Sequence, residues 1–223
     1  YVDENGDLKG YEVDELKAID DLLPQYRFEL KPVDWQNAIV SVDTGKVDFS
    51  SNLYGVTAER EKKYLFTKEA NLYDKYYVAA PKGDKSITDI EDLAGKKVPA
   101  WPGTEITAYL ENYNAKNPSK KIDLVYEQLT GDQLKASFKS GALDGTITAY
   151  TSYVANPNTY DLVGKPLFDA KIAYLLPKDA TELRDDLDGA IKKLRENGTL
   201  AKLSQQYFGK DLSEPLTGDG QNA

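Results

Sequence analysis

Arg60 is the residue of this sequence best suited to hold a small anion. A guanidinium presents a rigid fork of donors that meets a carboxylate through two parallel hydrogen bonds. Gly55 and Thr57 stand just ahead of it, and a glycine lets backbone amides approach a ligand closely. A plainer account places Arg60 in a solvated helix start with Glu59, Glu61, Lys62 and Lys63, and the residues alone leave both accounts open. A second candidate is Gly103-Thr104-Glu105, which reads either as a helix N-terminus offering unpaired amides to an anion or as a simple turn and N-cap. Ser51, Asn52 and Tyr54 add polar groups before Gly55. Ser50 and Ser51 also weaken an otherwise apolar strand, a local inconsistency of the kind found at functional sites. Trp35 opens a helical pattern after Asp34 and reads as a core or staple residue.

What the chain lacks narrows its chemistry further. It has no histidine and no cysteine, which excludes the usual zinc sites, Ser-His or Cys-His nucleophiles and any disulfide framework. Its formal net charge of −9 repels phosphate backbones, so nucleic acid is not an expected partner. No run approaches the roughly 20 apolar residues of a membrane span, and no signal-like segment opens the sequence. The spacing Asp3-x-Asn5-x-Asp7 is that of a calcium loop, but Leu8 replaces the required glycine and Asp14 the required glutamate. A tight turn at Asn5-Gly6 between two β-segments explains it better. No catalytic residue, cofactor or metal is assigned. The absence of methionine implies that the sequence as written lacks a translation start.

The elements that would position these residues alternate between β-rich runs and helical periods, which predicts an α/β fold. Strands are expected at 26–30, 76–80, 97–101, 122–126, 146–148 and 172–176, most naturally as parallel βα units. Trp35, Ala38, Ile39 and Val42 share one helical face, as do Ile106, Tyr109, Leu110 and Tyr113. Thr130-Gly131-Asp132-Gln133 has the form of a capping box, starting a helix whose Leu134 and Phe138 pack inward. Gly95 is expected as a left-handed cap, and Gly198 as the break between a helix carrying Leu187, Ile191 and Leu194 and one carrying Leu200, Leu203, Tyr207 and Phe208. Residues 213–223 read as a loose tail.

The joint order of several weak motifs is more specific than any one of them. Gly45-Lys46-Val47-Asp48, Thr57-Ala58-Glu59-Arg60, Phe66-Thr67, Asp92-Leu93-Ala94-Gly95-Lys96, Gly103-Thr104 and Tyr207-Phe208-Gly209 together resemble the extracytoplasmic solute-binding proteins of polar amino-acid ABC importers. The wording of 22–26 and 59–66 resembles Gram-positive members, some of which take cystine. The resemblance implies a type II periplasmic-binding-protein-like fold. Its first lobe would be 1–71 plus 170–223 and its second 72–169, with crossings near Leu72-Tyr73 and Asp169-Lys171. The ligand would lie in the cleft between the lobes and be captured by hinge closure.

On that resemblance Arg60 holds the α-carboxylate, helped by backbone groups near Leu53 and Gly55. The Gly103-Thr104 turn meets the same carboxylate from the second lobe, and Trp35 lies against the ligand side chain. Many relatives carry an ammonium-pairing aspartate where this chain has Ala149, so Thr148, Tyr150, Thr151 or Ser152 would supply acceptors instead. Relatives also carry a first strand and a ligand-facing loop ahead of the segment matching Tyr1, so that strand is expected to be missing from this chain. The implied partners are an amino acid and an ABC permease, with membrane contact only through the permease or a lipid anchor. The implied protein is a monomer, anchored at a Gram-positive surface or periplasmic. A surface adhesin or sensor with an altered pocket is the alternative, and a dehydratase-like enzyme on the same fold a more distant one.

Overall fold

A computed structural model describes residues 3–216, except the side chains of Trp35 and Gln36. The chain divides into two compact units. Unit 1 comprises 3–73 and 170–215, and unit 2 comprises 74–169 together with Leu216. The divisions fall inside two strands, β2 (Leu72–Pro81) and β6 (Tyr160–Ile172).

Unit 1 is mostly helical. It holds α1 (Tyr11–Asp20), α2 (Trp35–Asp43), α3 (Ala58–Lys63), α7 (Thr181–Glu196) and α8 (Thr199–Phe208), with a short antiparallel pair of β1 (Leu65–Phe66) and β7 (Leu175–Leu176). Isolated bridges Ser50↔Leu175 and Gly55↔Ile172 extend this pairing into the segment ahead of α3. The predicted helical faces are the buried ones. Ala38 and Val42 of α2 join Phe66 and Leu175 in one core, while Leu187, Ile191 and Leu194 of α7 join Leu16, Ile19, Leu176 and Leu200 in another. Gly198, in the left-handed region at φ 79°, separates α7 from α8 as expected. Helix α1 escaped the sequence reading because its inner face interrupts the apolar pattern with a charge, presenting Tyr11, Glu15, Leu16 and Ile19.

Residues 26–30 are not a paired strand. Tyr26, Phe28 and Leu30 turn inward with a period of two and pack on the core, but without a ladder: Tyr26 N–H bonds the nearby Leu23 carbonyl and Phe28 N–H bonds Asp20 Oδ1, both at 2.9 Å. Residues 26–33 and 46–52 flank a cavity of about 750 Å³, also lined by Glu12, Val13 and Leu16. The Asn5-Gly6 turn is present: Gly6 N–H bonds Asp3 O, Asp3 N–H bonds Asp7 O, and the Asp3 carboxylate accepts from Asn5 and Asp7 N–H. The segment read as a loose tail is held at its start. Leu212 and Ser213 are buried, and Arg195 donates to the Ser213 carbonyl. Leu216 N–H bonds Asp169. The rest of that tail, 217–223, lies outside the described residues.

Unit 2 contains a sheet in the order β5-β2-β6 and a separate parallel pair, β3 (Lys97–Pro99) with β4 (Asp123–Val125). β2 pairs antiparallel with β5 (Thr146–Ala149) in the register Tyr76↔Ala149 and Val78↔Ile147. The expectation of parallel units holds for β3 and β4, joined by α4 (Glu105–Lys116), and not for β2 and β5. Alternating periodicity identifies strands but not their neighbours, and β2 takes a partner some seventy residues away. Leu110 of α4 is fully buried against Val78, Leu93, Val98 and Ile147, with Ile106, Tyr109 and Tyr113 packed beside it. The capping box at Thr130 and Gln133 starts α5 (Gly131–Ser140), yet α5 has no buried residue, and Leu134 and Phe138 are half-buried. Gly95 adopts φ 69° after the 3₁₀ turn Ile90–Leu93. A short α6 (Tyr150–Ala155) follows β5.

Candidate functional site

The expected anion-holding residues of unit 1 fall on one continuous stretch, 52–60. Leu53 is the one non-glycine residue with positive φ (47°) among the described residues, a conformation costing on the order of 1–2 kcal/mol for an L-residue. It is held there by its N–H, which donates to Glu12 Oε1 at 2.9 Å. Burial raises the Glu12 carboxyl, while the Leu53 N–H and the Ser51 hydroxyl oppose the shift. Tyr54 is buried and its hydroxyl pairs with Ser50 Oγ at 3.0 Å. Hydrogen bonds from Val56 N–H to Lys171 O and from Ala173 N–H to Tyr54 O then pin the backbone on both sides of Gly55.

This frame fixes Arg60 from three directions. Thr57 caps α3 by accepting from Arg60 N–H at 3.3 Å. The Gly55 carbonyl accepts from Arg60 Nη1 at 2.8 Å, and the Tyr54 ring lies 5.9 Å from the guanidinium carbon, within cation–π range. Among the described residues the half-buried guanidinium makes no ion pair, although Glu59 and Glu61 are its sequence neighbours. Its remaining donors are therefore available to a planar anion. Thr57 acts through the cap, and the Leu53 N–H is already engaged by Glu12, which leaves Leu53 no free amide to offer. Of the expected residues, Asn52 and its neighbours Ser50 and Ser51 line the 750 Å³ cavity. The side chain of Trp35 lies outside the described residues.

In unit 2, Gly103 sits at φ 80° with open space around its Cα, so the turn requires glycine for its backbone angle alone. Thr104 is the N-cap of α4, accepting from Thr107 N–H at 3.3 Å. Its own N–H and hydroxyl both turn back to the Trp101 carbonyl, at 3.3 and 2.8 Å, and the Thr107 hydroxyl joins them at 2.6 Å. The Thr104 hydroxyl and N–H are thus engaged within the cap itself. By helix geometry the open donors are the first-turn N–H groups that follow, beginning at Glu105. Glu105 also brings an acidic side chain into that turn. Trp101, nearly half exposed at the end of β3, is a large apolar surface that the sequence reading did not single out.

Around Ala149, the expected acceptors Thr148 and Thr151 already have partners within unit 2. Thr148 is buried, with its hydroxyl 3.0 Å from that of Tyr160. Ala149 is the N-cap of α6 and has no side chain with which to cap it. The acid in this region is Asp74 on β2, whose carboxylate accepts from Thr151 N–H (3.2 Å) and Thr151 Oγ1 (2.5 Å). Burial raises its carboxyl, and the Thr151 bonds oppose the shift. The β2–β5 register brings Asp74 beside 151, a proximity invisible to linear counting.

A cationic fork with no ion-pair partner among the described residues, and a capped helix start that follows β3, suit the holding of a small anion. The whole chain agrees: residues 1–210 match the profile of the bacterial extracellular solute-binding proteins, family 3, and the chain belongs to that family. It is 33% identical to the L-cystine-binding protein TcyJ of Bacillus subtilis (strain 168) over 218 residues, 96% of this chain and 81% of the relative. It is 32% identical to TcyK of the same organism, described in the same words, over 96% and 80%. Among solved structures, the probable amino-acid ABC transporter extracellular-binding protein ytmK from Bacillus subtilis superimposes with a TM-score of 0.82 at 31% identity, covering 95% of this chain and 92% of that one. A putative L-cystine ABC transporter protein from Listeria monocytogenes gives 0.68 at 33%, covering 96% and 92%.

Proposed function

We propose that this chain captures a small amino acid outside the cytoplasm and delivers it to the permease of an ABC importer, with L-cystine the first candidate. The observation that carries the reading is Arg60: a guanidinium positioned by a cap, a carbonyl and an aromatic ring, with no carboxylate partner among the described residues. An amino acid supplies the missing carboxylate. The ligand for which TcyJ and TcyK are named supports cystine, whose two carboxylates offer the fork two chances of engagement. In this reading no covalent step follows binding. The protein works as a monomer and meets the membrane through its permease or a lipid anchor.

Calorimetry with L-cystine and a panel of amino acids tests this. A charge-assisted bidentate pair contributes on the order of 1.5–3 kcal/mol, so Arg60→Ala is expected to weaken binding by roughly 10- to 100-fold. Undiminished affinity in a folded Arg60→Ala protein would remove the assignment of the carboxylate to Arg60.

A further inference from the structure

Unit 1 contains a buried polar cluster that ligand capture leaves unused. Glu15, on the inner face of α1, is fully buried, and neither of its carboxyl oxygens has a hydrogen-bond partner among the described residues. Asn71 and Tyr174 are equally buried, and the Asn71 amide group and the Tyr174 hydroxyl likewise lack partners. Both side chains stand around the Glu15 carboxyl, close enough to bias its protonation yet short of good hydrogen-bond geometry. An ionised carboxylate here is an uncompensated buried charge, whereas the neutral acid offers one donor and one acceptor to an amide and a phenol.

The charged groups facing Glu15 do not reverse that preference. Glu12, from the same helix, adds repulsion, and Arg195, from α7, opposes it more weakly. Tyr11 has its hydroxyl committed to the Asn71 carbonyl at 2.8 Å. Burial is the largest influence and pushes the Glu15 carboxyl up to about 8.

The position of the cluster gives it leverage. Asn71 immediately precedes β2, and its N–H donates to the carbonyl of Ile172, the last residue of β6, at 2.9 Å. Tyr174 lies two residues beyond β6 and exchanges bonds with Thr67. Both strands that connect the two units are therefore rooted beside Glu15. We propose that Glu15, Asn71 and Tyr174 form a proton-dependent latch, in which the neutral acid ties α1 to the roots of β2 and β6 and loss of its proton loosens them.

The sign follows from linkage. Unfolded, Glu15 titrates near 4.5; folded, it keeps its proton to about 8. Its contribution is fully present below pH 4.5 and declines as pH rises across that window. Carbon-detected NMR of the carboxyl groups in the full chain is the direct test. The latch requires a Glu15 midpoint near 8, with the Asn71 side-chain amide and the Tyr174 ring moving at that same midpoint. Glu15→Gln should abolish that titration and flatten the fall of melting temperature between pH 5 and 8. A Glu15 midpoint near 4.5 overturns the proposal, as do Asn71 and Tyr174 signals that stay flat while Glu15 titrates. The wild-type titration decides the matter even if Glu15→Gln does not fold.

Discussion

The two anion-suited stretches, the Arg60 turn of unit 1 and the Thr104 turn of unit 2, look equivalent in sequence and are built on opposite plans. At Arg60 the backbone closes on itself and the side chain is left open: Thr57 and Gly55 hold the residue while part of the guanidinium fork stays available. At Thr104 the side chain closes on the Trp101 carbonyl, and backbone N–H groups of the first helical turn remain. One stretch offers a full charge on a fixed stem, the other only amide dipoles beside an acidic Glu105. An ionised donor forms the stronger hydrogen bond, so affinity should concentrate in unit 1.

Substitutions can break that asymmetry, and Arg60→Ala should have the largest effect, the 10- to 100-fold loss of affinity given above. Arg60→Lys keeps the charge but not the fork, and calorimetry should place it between wild type and Arg60→Ala. Next comes Thr104→Ala, which loses an N-cap worth about 1 kcal/mol of stability. Thermal unfolding should register that loss while affinity changes less than for Arg60→Ala; an equal loss of affinity would remove the asymmetry. Gly103→Ala should cost roughly 1 kcal/mol through its backbone angle, because nothing lies within 4 Å of the added carbon. The smallest effect is expected at Leu53. Leu53→Gly removes strain and should leave stability within about 1 kcal/mol of wild type, whereas the β-branched Leu53→Val should destabilise. If Val were tolerated as well as Gly in denaturant titrations, the positive φ at Leu53 would carry no strain.

Legibility followed the range of the interaction. The faces of α2, α4 and α7, the capping box of α5 and the left-handed glycines at 95 and 198 are set by neighbours within a few residues, and local pattern revealed them. The setting of Arg60 is local in the same way, since its cap and its carbonyl partner lie within five residues. Glu12 and Asp74 were not. They act on Leu53 and Thr151 across 41 and 77 residues, and nothing short of strand register and helix placement brings those pairs together. Helix α1 was hidden by Glu15 on its inner face, where a charged residue reads as an outward position. The same range limit explains why 26–30 could display a strand's alternation without belonging to a ladder: alternation reports which side of a segment is buried, while pairing depends on a distant edge.

The passage of β2 and β6 through the unit boundaries also bears on the order in which the chain acquires structure. Unit 2 is drawn almost wholly from one uninterrupted stretch, 74–169, while unit 1 needs both 3–73 and 170–215. A nascent chain can therefore close the core around Val78, Leu110 and Ile147 before α7 and β7 have emerged. The early residues, Arg60 among them, must wait for Leu175, Leu187 and Ile191 to complete the cores they share. Domains generally fold as units, the N-terminal one first during synthesis; here the middle of the chain is free to lead, and the unit bearing Arg60 finishes last.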